Sequence, residues 1–388
     1  MKINWQTKKL DDACNIEYGT RVVNKRDGGG TYPVYGGGGA TFFMNKHNRE
    51  NCMVVARFAM SEKCTRFIGG KFFLNDSGLT VSPKNSKEIA QEFIDYQLIF
   101  LNDHIYSLAR GSAQKNLDLP AFRKIEILYP KSILEQRQIV KILDEVFENI
   151  KKAKENAEKN LQNTKELFES YLQSVFPKSN AGWEEKKLGD KDLFQIIDGD
   201  RGKNYPKKSD FSDGGFCLFL NTKNVRPNGF DFKIKMFITE KKDNALGNGK
   251  LQRNDVLLTT RGTIGNIAVY DKNVSFENIR INSGMLIFRP NIKLIIPEYL
   301  FAIFQSGIMK NQIKKHVSGA AQPQLPIKTL VNFIIPVPKS LSEQKSIVAK
   351  LDALSAETKK LEAIYKQKLA DLEELKKSVL KKAFGGEL

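Results

Sequence analysis

Apolar positions spaced alternately three and four apart run through Ile139, Leu143, Val146, Ile150, Ala153, Ala157, Thr164, Leu167 and Tyr171, with one polar break at Asn160. The same spacing returns at Ile347, Leu351, Leu354, Thr358, Leu361, Tyr365, Leu372, Leu375 and Val379, broken at Lys368. A seam about two positions in seven wide suits a helix that buries one narrow stripe against another helix. Each run follows a short apolar segment closed by a proline, Pro130 or Pro338, which no strand or helix carries further. Ser132 with Glu135, and Ser340 with Glu343, then have the spacing of a capping box, in which the serine accepts the third helical amide and the glutamate reaches back.

These are two copies of one stretch. Sliding the sequence by 208 positions puts Gly111, Ala113, Gln114, Leu117 and Ile127 on Gly319, Ala321, Gln322, Leu325 and Ile335 without a gap. The offset still holds at Leu167/Leu375, Leu172/Leu380 and Phe176/Phe384. From Ser132 to Phe176 a helix would run about 67 Å, longer than any globular core needs. Two helices matched in length and register bury both stripes most simply by pairing within the chain. Antiparallel pairing would put the globular units at opposite ends; packing on their own domains, or a homodimeric coil, is the plainer alternative.

The units open alike, Trp5-Gln-Thr-Lys-Lys-Leu10 and Trp183-Glu-Glu-Lys-Lys-Leu188, but at an offset of 178, so the second is longer and the interiors differ. Strands are expected near Asn51–Ala56 and Asp255–Thr260, and helices over Glu88–Leu101 and Pro297–Ile313. The fold class is therefore α+β: two mixed α/β globular units separated by two long helices that pair as an antiparallel coiled coil, with pseudo-two-fold repetition. The expected boundaries are 1–131, 132–178, 179–339 and 340–388.

Charge adds to this picture. The net +18 divides as +6 for residues 1–131, 0 for 132–178, +10 for 179–339 and +2 for 340–388. Basic globules on charge-balanced helices argue that the globules meet a polyanion while the helices space them; a generally basic protein is the alternative. No apolar run approaches the roughly 18 residues of a membrane span, the N-terminus lacks a signal-peptide core, and the four cysteines form no Cys-x-x-Cys pair. A cytoplasmic protein with reduced thiols is expected.

Candidate contacts follow from residue type and place. In the first unit Tyr32 and Tyr35 precede the run Gly36–Gly39, a surface hairpin or loop whose backbone could approach a phosphate. The second unit offers Arg201, Lys203, Asn204 and Lys207, then Asn221, Lys223 and Arg226, the side chains that reach phosphates and base edges. Arg57 and Arg261 each follow an expected strand in comparable places and could grip guanine, a phosphate, or a structural carboxylate. Near each unit's end a small-residue loop ends in Gln, with Lys115 and Asn116 beside it in the first copy. Its retention in both copies favours support of the fold. Three scattered histidines give no metal-ligand spacing, and no Gly-x-Ser-x-Gly, His-Glu-x-x-His, Walker or Asn-Pro-Pro-Tyr-like motif is present, so no catalytic residue and no metal site is expected.

The paired Trp-x-x-Lys-Lys-Leu openings, the paired Gly-x-Ala-Gln loops, and the segments Pro130-Lys-Ser-Ile-Leu-Glu-Gln-Arg-Gln-Ile-Val140 and Pro338-Lys-Ser-Leu-Ser-Glu-Gln-Lys-Ser-Ile-Val348 resemble the specificity subunit of type I restriction–modification systems along essentially the whole chain. The resemblance implies two target-recognition domains, each reading half of an interrupted DNA site, with the helices setting the gap. It implies a non-catalytic chain that binds double-stranded DNA. Its partners would be modification subunits, two of them, that methylate adenine with S-adenosylmethionine, and ATP-driven restriction subunits that use magnesium. Unlike interiors predict an asymmetric target, with the half-site centres about one turn, roughly 10 bp, apart if both units approach one face. A non-specific DNA-binding coiled-coil scaffold is the alternative, and an unrecognised nuclease a third.

Overall fold

The computed structural model describes residues 5–176, 182–319 and 323–387. The boundary expected at 178/179, and Ala321 and Gln322 of the second small-residue loop, lie outside them. The chain divides into two compact units, one of residues up to Lys159 with those from Tyr365 onward, the other Asn160–Ile364.

In the first unit, strands β1 (Trp5–Lys9), β2 (Cys14–Tyr18), β3 (Tyr32–Tyr35), β4 (Ala40–Met44), β5 (Arg49–Ala56), β6 (Thr65–Leu74), β7 (Gly78–Pro83) and β8 (Glu126–Pro130) accompany helices α1 (Gln91–Phe100) and α2 (Ile133–Val175). A sheet of order β2-β7-β5-β6-β3-β4 is antiparallel except where β3 runs parallel to β6. The fully buried Val55, Leu79, Phe93 and Ile94 pack its face against α1. β1 pairs antiparallel with β8 in a separate ribbon.

The second unit repeats this plan with β9 (Trp183–Lys187), β10 (Phe194–Asp198), β11 (Cys217–Leu220), β12 (Phe237–Ile238), β13 (Val256–Thr259), β14 (Ile267–Val269), β15 (Ile279–Ile281), β16 (Met285–Pro290) and β17 (Ile334–Pro338). Its helices are α3 (Pro297–Gln305), α4 (Gly307–His316) and α5 (Leu341–Gly385). The sheet β10-β16-β13-β14 has the order and directions of β2-β7-β5-β6. The extra length falls mainly between β10 and β13, where a second small sheet, β12-β11-β15, has its own core of Leu218, Leu220, Ile279 and Ile281. The helix expected over Pro297–Ile313 breaks at Ser306, which is extended at ψ 160°. The one expected from Glu88 starts only at Gln91.

Each ribbon delivers the chain into a long helix in the same way. Trp5 sits opposite Pro130, and Trp183 opposite Pro338. The serine amide caps form, Glu135 N to Ser132 Oγ and Glu343 N to Ser340 Oγ, both 3.4 Å. The glutamates do not reach back as a capping box requires. Each instead accepts an indole N–H from the ribbon, Trp5 Nε1 at 3.1 Å and Trp183 Nε1 at 2.7 Å. The tryptophan repeat and the glutamate repeat are thus two ends of one bond.

The neighbouring glutamines are fully buried. Gln136 accepts from Ala90 N and donates to Glu88 O and Pro130 O, at 2.9, 2.9 and 2.8 Å. Gln344 accepts from Ile296 N and donates to Leu294 O and Pro338 O, at 3.0, 2.9 and 3.2 Å. Each closes the open N-terminal amide of α1 or α3 and locks strand, loop and long helix together.

The helices pair antiparallel. In the first unit the beginning of α2 (Ile139, Val140, Leu143) shares a core with the end of α5 (Leu380, Ala383, Phe384); in the second, the end of α2 (Leu172, Phe176) shares one with the beginning of α5 (Leu351). Phe384 sits 5.2 Å from the rings of Phe93 and Phe100, and its repeat partner Phe176 sits 5.6 Å from Tyr299. Burying each such ring contributes about 2–3 kcal/mol.

The seam departs from the expected one beyond its polar breaks. Ile139, Leu143, Val146, Ile150, Ile347, Leu351, Leu354 and Leu372 are buried or half-buried, but Leu167 is 53%, Leu361 36% and Leu375 47% exposed. Inward positions there are Leu161, Thr164, Phe168 and Tyr171 on α2, and Tyr365, Leu369, Leu372 and Val379 on α5. At Asn160 and Lys368 the next residue, Leu161 or Leu369, takes the inward place, and Phe168 takes the one expected for Leu167; beside the outward Leu361 and Leu375 the half-buried residues are Glu362 and Lys376.

Candidate nucleic-acid interface

One backbone arrangement is built twice. Tyr18 ends β2 opposite Leu79, and Asp198 ends β10 opposite Leu286, so Gly19 and Gly199 are counterparts. A Cβ at Gly19 would lie 1.9 Å from the carbonyl oxygen of Asn75, and one at Gly199 2.2 Å from that of Asn282. Only glycine fits there. Asn75 Oδ1 accepts from Ser77 N at 2.9 Å and Asn282 Oδ1 from Gly284 N at 3.0 Å, so each asparagine closes its own turn.

The ends of β5 and β13 join the same turns. Arg57 N donates to Ser77 O and Thr260 N to Gly284 O, both at 2.8 Å, while the carbonyls of Arg57 and Thr260 accept from Leu117 N and Leu325 N. Strand exit, asparagine turn, strand end and small-residue loop therefore converge in each unit. Arg57 matches Thr260, not Arg261, so the two arginines expected in comparable places are one residue out of step. Thr260 is buried and donates its hydroxyl to Gly284 O. Arg261 is exposed, with no side-chain hydrogen bond or ion pair among the described residues.

In the first unit Arg57 lies between two rings, 4.9 Å from the centroid of Tyr18 and 4.5 Å from that of Phe58, a stacked guanidinium stabilised by both π-faces. Its Nη1 reaches Asp76 O at 3.4 Å, and its buried Nε has no partner among the described residues. Gly36–Gly39 joins β3 to β4 as the expected hairpin. Its carbonyls at Gly37 and Gly38 take the Arg66 guanidinium, so the loop is already held by a cation of this chain. Tyr35 packs edge-on against Phe72 at 5.6 Å, and Tyr32 lies 4.8 Å from His47. Lys115 Nζ donates to Tyr106 Oη at 3.0 Å, and Asn116 Oδ1 accepts from Ala59 N at 3.3 Å.

Several second-unit candidates serve the fold. Asn221 Oδ1 accepts from Lys223 N at 2.8 Å, capping a short 3-10 turn, and Asn204 Nδ2 donates to Ala245 O at 2.9 Å. Arg226 faces Asp231 at 3.8 Å. Arg201 pairs with Asp198 at 3.0 Å and donates to Ser283 O at 3.3 Å. Lys203, Lys207 and Lys223 are exposed. Thr263 Oγ1 bonds Thr222 O at 3.0 Å and Arg261 bridges to Gln324, so the loops bearing Arg201, Lys223 and Arg261 adjoin. Sequence reasoning missed Gly19/Gly199 and Asn75/Asn282. Their signal was the pair Leu74-Asn75-Asp76-Ser77 and Ile281-Asn282-Ser283-Gly284, which falls at an offset of 207 and so outside the gapless alignment.

A second repeated feature is acidic. A groove of about 400 Å³ in the first unit is lined by Phe67, Glu92, Asp95, Tyr96, Asp144 and Phe147 among others, and one of about 380 Å³ in the second by Val269, Glu298, Phe301, Ala302, Asp352 and Ser355 among others. Aligned through Gln136 and Gln344, these are equivalent positions, and Glu92/Glu298 and Asp144/Asp352 are unchanged between them. Burial pushes the Asp95 carboxyl up to about 6, and burial together with the 2.6 Å bond to Asp144 raises the Tyr96 hydroxyl. Anionic rims make these grooves poor surfaces for a polyanion. No group of three or more His, Cys, Asp or Glu that could hold a metal, and no helix long and apolar enough to cross a membrane, is found among the described residues.

Comparison with known proteins agrees with this geometry. The chain is 32% identical over 139 residues to the type I restriction enzyme EcoBI specificity subunit of Escherichia coli, a match covering 36% of this chain and 28% of that one. It is 27% identical over 340 residues to the MjaVIII specificity subunit of Methanocaldococcus jannaschii, covering 83% and 76%. A solved structure addressing complex assembly and conformational transition of the type I R-M system matches the fold with a TM-score of 0.76 at 19% identity, covering 100% of this chain and 99% of that one. The family model for the type I restriction modification DNA specificity domain matches twice, at residues 2–160 and 180–373, and the chain belongs to that family.

Proposed function

We infer that this chain is the DNA-recognition subunit of a type I restriction–modification complex and reads an asymmetric bipartite target. The observation that carries this is one turn-and-strand scaffold built twice with different residues on it. Arg57 between two rings occupies one copy, and Thr260 with the exposed Arg261 the other. A shared scaffold fixes how each unit meets the duplex, and unlike side chains give each its own sequence. A scaffold protein that ignores sequence would have no use for that divergence.

Partner subunits supply the chemistry in this reading: modification subunits, two per chain, methylate adenine with S-adenosylmethionine, and restriction subunits use ATP and magnesium. The repeated acidic grooves, each beside a long helix, are where basic and apolar segments of the two modification subunits would seat. The expected test outcome is methylated adenines, in cells carrying this chain with its modification partner, at a two-part motif with a fixed gap and unlike halves. Methylation without a motif would support the non-specific alternative, and cleavage by the purified chain with magnesium alone would support the nuclease.

A further inference from the structure

We propose that Arg21 and Arg201 form a matched pair of phosphate contacts, one in each unit, that anchor the DNA backbone and carry no sequence information. The proposal rests on the DNA-binding reading above and names residues for it. β2 and β10 end in step, and the chain continues Gly19-Thr20-Arg21 in one unit and Gly199-Asp200-Arg201 in the other. Arg21 was not among the expected contacts, because the offset at this point, 180, matches neither the opening nor the closing repeat.

Three observations make the pair a site. The glycine before each arginine cannot bear a Cβ, 1.9 and 2.2 Å from the Asn75 and Asn282 carbonyls, so the backbone leaves each strand at a fixed place beside the asparagine turn. Neither arginine is buried. Arg21 is exposed with no side-chain partner among the described residues, and the Arg201 side chain is 50% exposed, its ion pair with Asp198 and its bond to Ser283 O both lying at the surface, where they hold the guanidinium beside the asparagine turn. Finally, the residues around them differ between the units: Tyr18 corresponds to Asp198 and Arg57 to Thr260. Two units that read unlike bases share only the sugar-phosphate backbone of their targets, so a cation kept at the same place in both suits the shared part.

Binding of the complex with its modification partner to its own target and to random duplex is measured across a salt series for Arg21→Gln, Arg201→Gln, the double variant and wild type. Bound sequences are also selected from a random pool. Each single variant is expected to weaken both duplexes by the same factor and to reduce the slope of log affinity against log salt by about 0.9, the double variant by about 1.8, with the selected motif unchanged. Unchanged slopes would overturn the proposal, showing the arginines to be solvated only. A base preference lost in one half of the motif would overturn it too, making that arginine a reader. Failure of the wild type to select any motif would refute the sequence-recognition reading, while the slopes on random duplex would still report on the arginines.

Discussion

Replacing Gln136 by Leu keeps the side chain's bulk and removes its polar end. Gln136 is fully buried and makes three hydrogen bonds at 2.8–2.9 Å, so the change strands the Ala90 N–H and two carbonyls at the junction of α1, β8 and α2. An orphaned buried N–H costs about 1–3 kcal/mol and each of the two further lost bonds about 0.5–1.5 kcal/mol, which sums to about 2–6 kcal/mol. For a unit of this size that is a fall of about 10 °C in its unfolding midpoint. Gln344→Leu removes three bonds of 2.9–3.2 Å from the same place in the other unit and should cost about as much. Because two units need not unfold together, the assay is hydrogen exchange followed amide by amide. Gln136→Leu should expose α1 and Gln344→Leu α3, each in its own unit. A loss below about 1 kcal/mol for either, or faster exchange in the wrong unit, would refute the idea that these glutamines brace each ribbon to its helix.

Three further outcomes follow. Asp95 is 91% buried, and burial raises its carboxyl from 3.8 to about 6, so between those values the folded chain holds a proton that the unfolded chain releases. Stability should therefore fall as pH rises through that window, by up to about 3 kcal/mol; Asp95→Asn should flatten that part of a pH series of urea melts and gain stability at pH 7.5, and parallel curves would contradict the assignment. Leu143→Ala should cost about 2–5 kcal/mol, since Leu143 is fully buried, whereas the half-exposed Leu375→Ala should stay within about 0.5 kcal/mol in the same melts. Gly19→Ala should destabilise the first unit selectively, because the Asn75 carbonyl leaves no room for a methyl group.

The duplication, the paired helices and the mixed units were legible because they rest on spacing, which survives divergence. Where the sequence alone misled, a local rule lost to a distant partner. The serine–glutamate spacing satisfied the capping-box pattern, yet each glutamate is taken by a tryptophan far away in the chain. The three-and-four periodicity continued past Asn160 and Lys368 on paper, but the packed stripe steps there to Leu161 and Leu369, because a buried apolar side chain outweighs a regular count. The candidate contacts were the least legible. Whether an asparagine caps a turn, as Asn221 does, or an arginine stacks between rings, as Arg57 does, depends on chain that lies far off in sequence.

The most direct measurement exchanges residues 182–338 for the corresponding segment of a relative with a different target and maps methylated adenines in cells supplying the same modification partner. One half of the motif should change to that of the donor, while the other half and the gap stay as they were. A motif altered in both halves, or in neither, would contradict recognition by two independent copies of one scaffold.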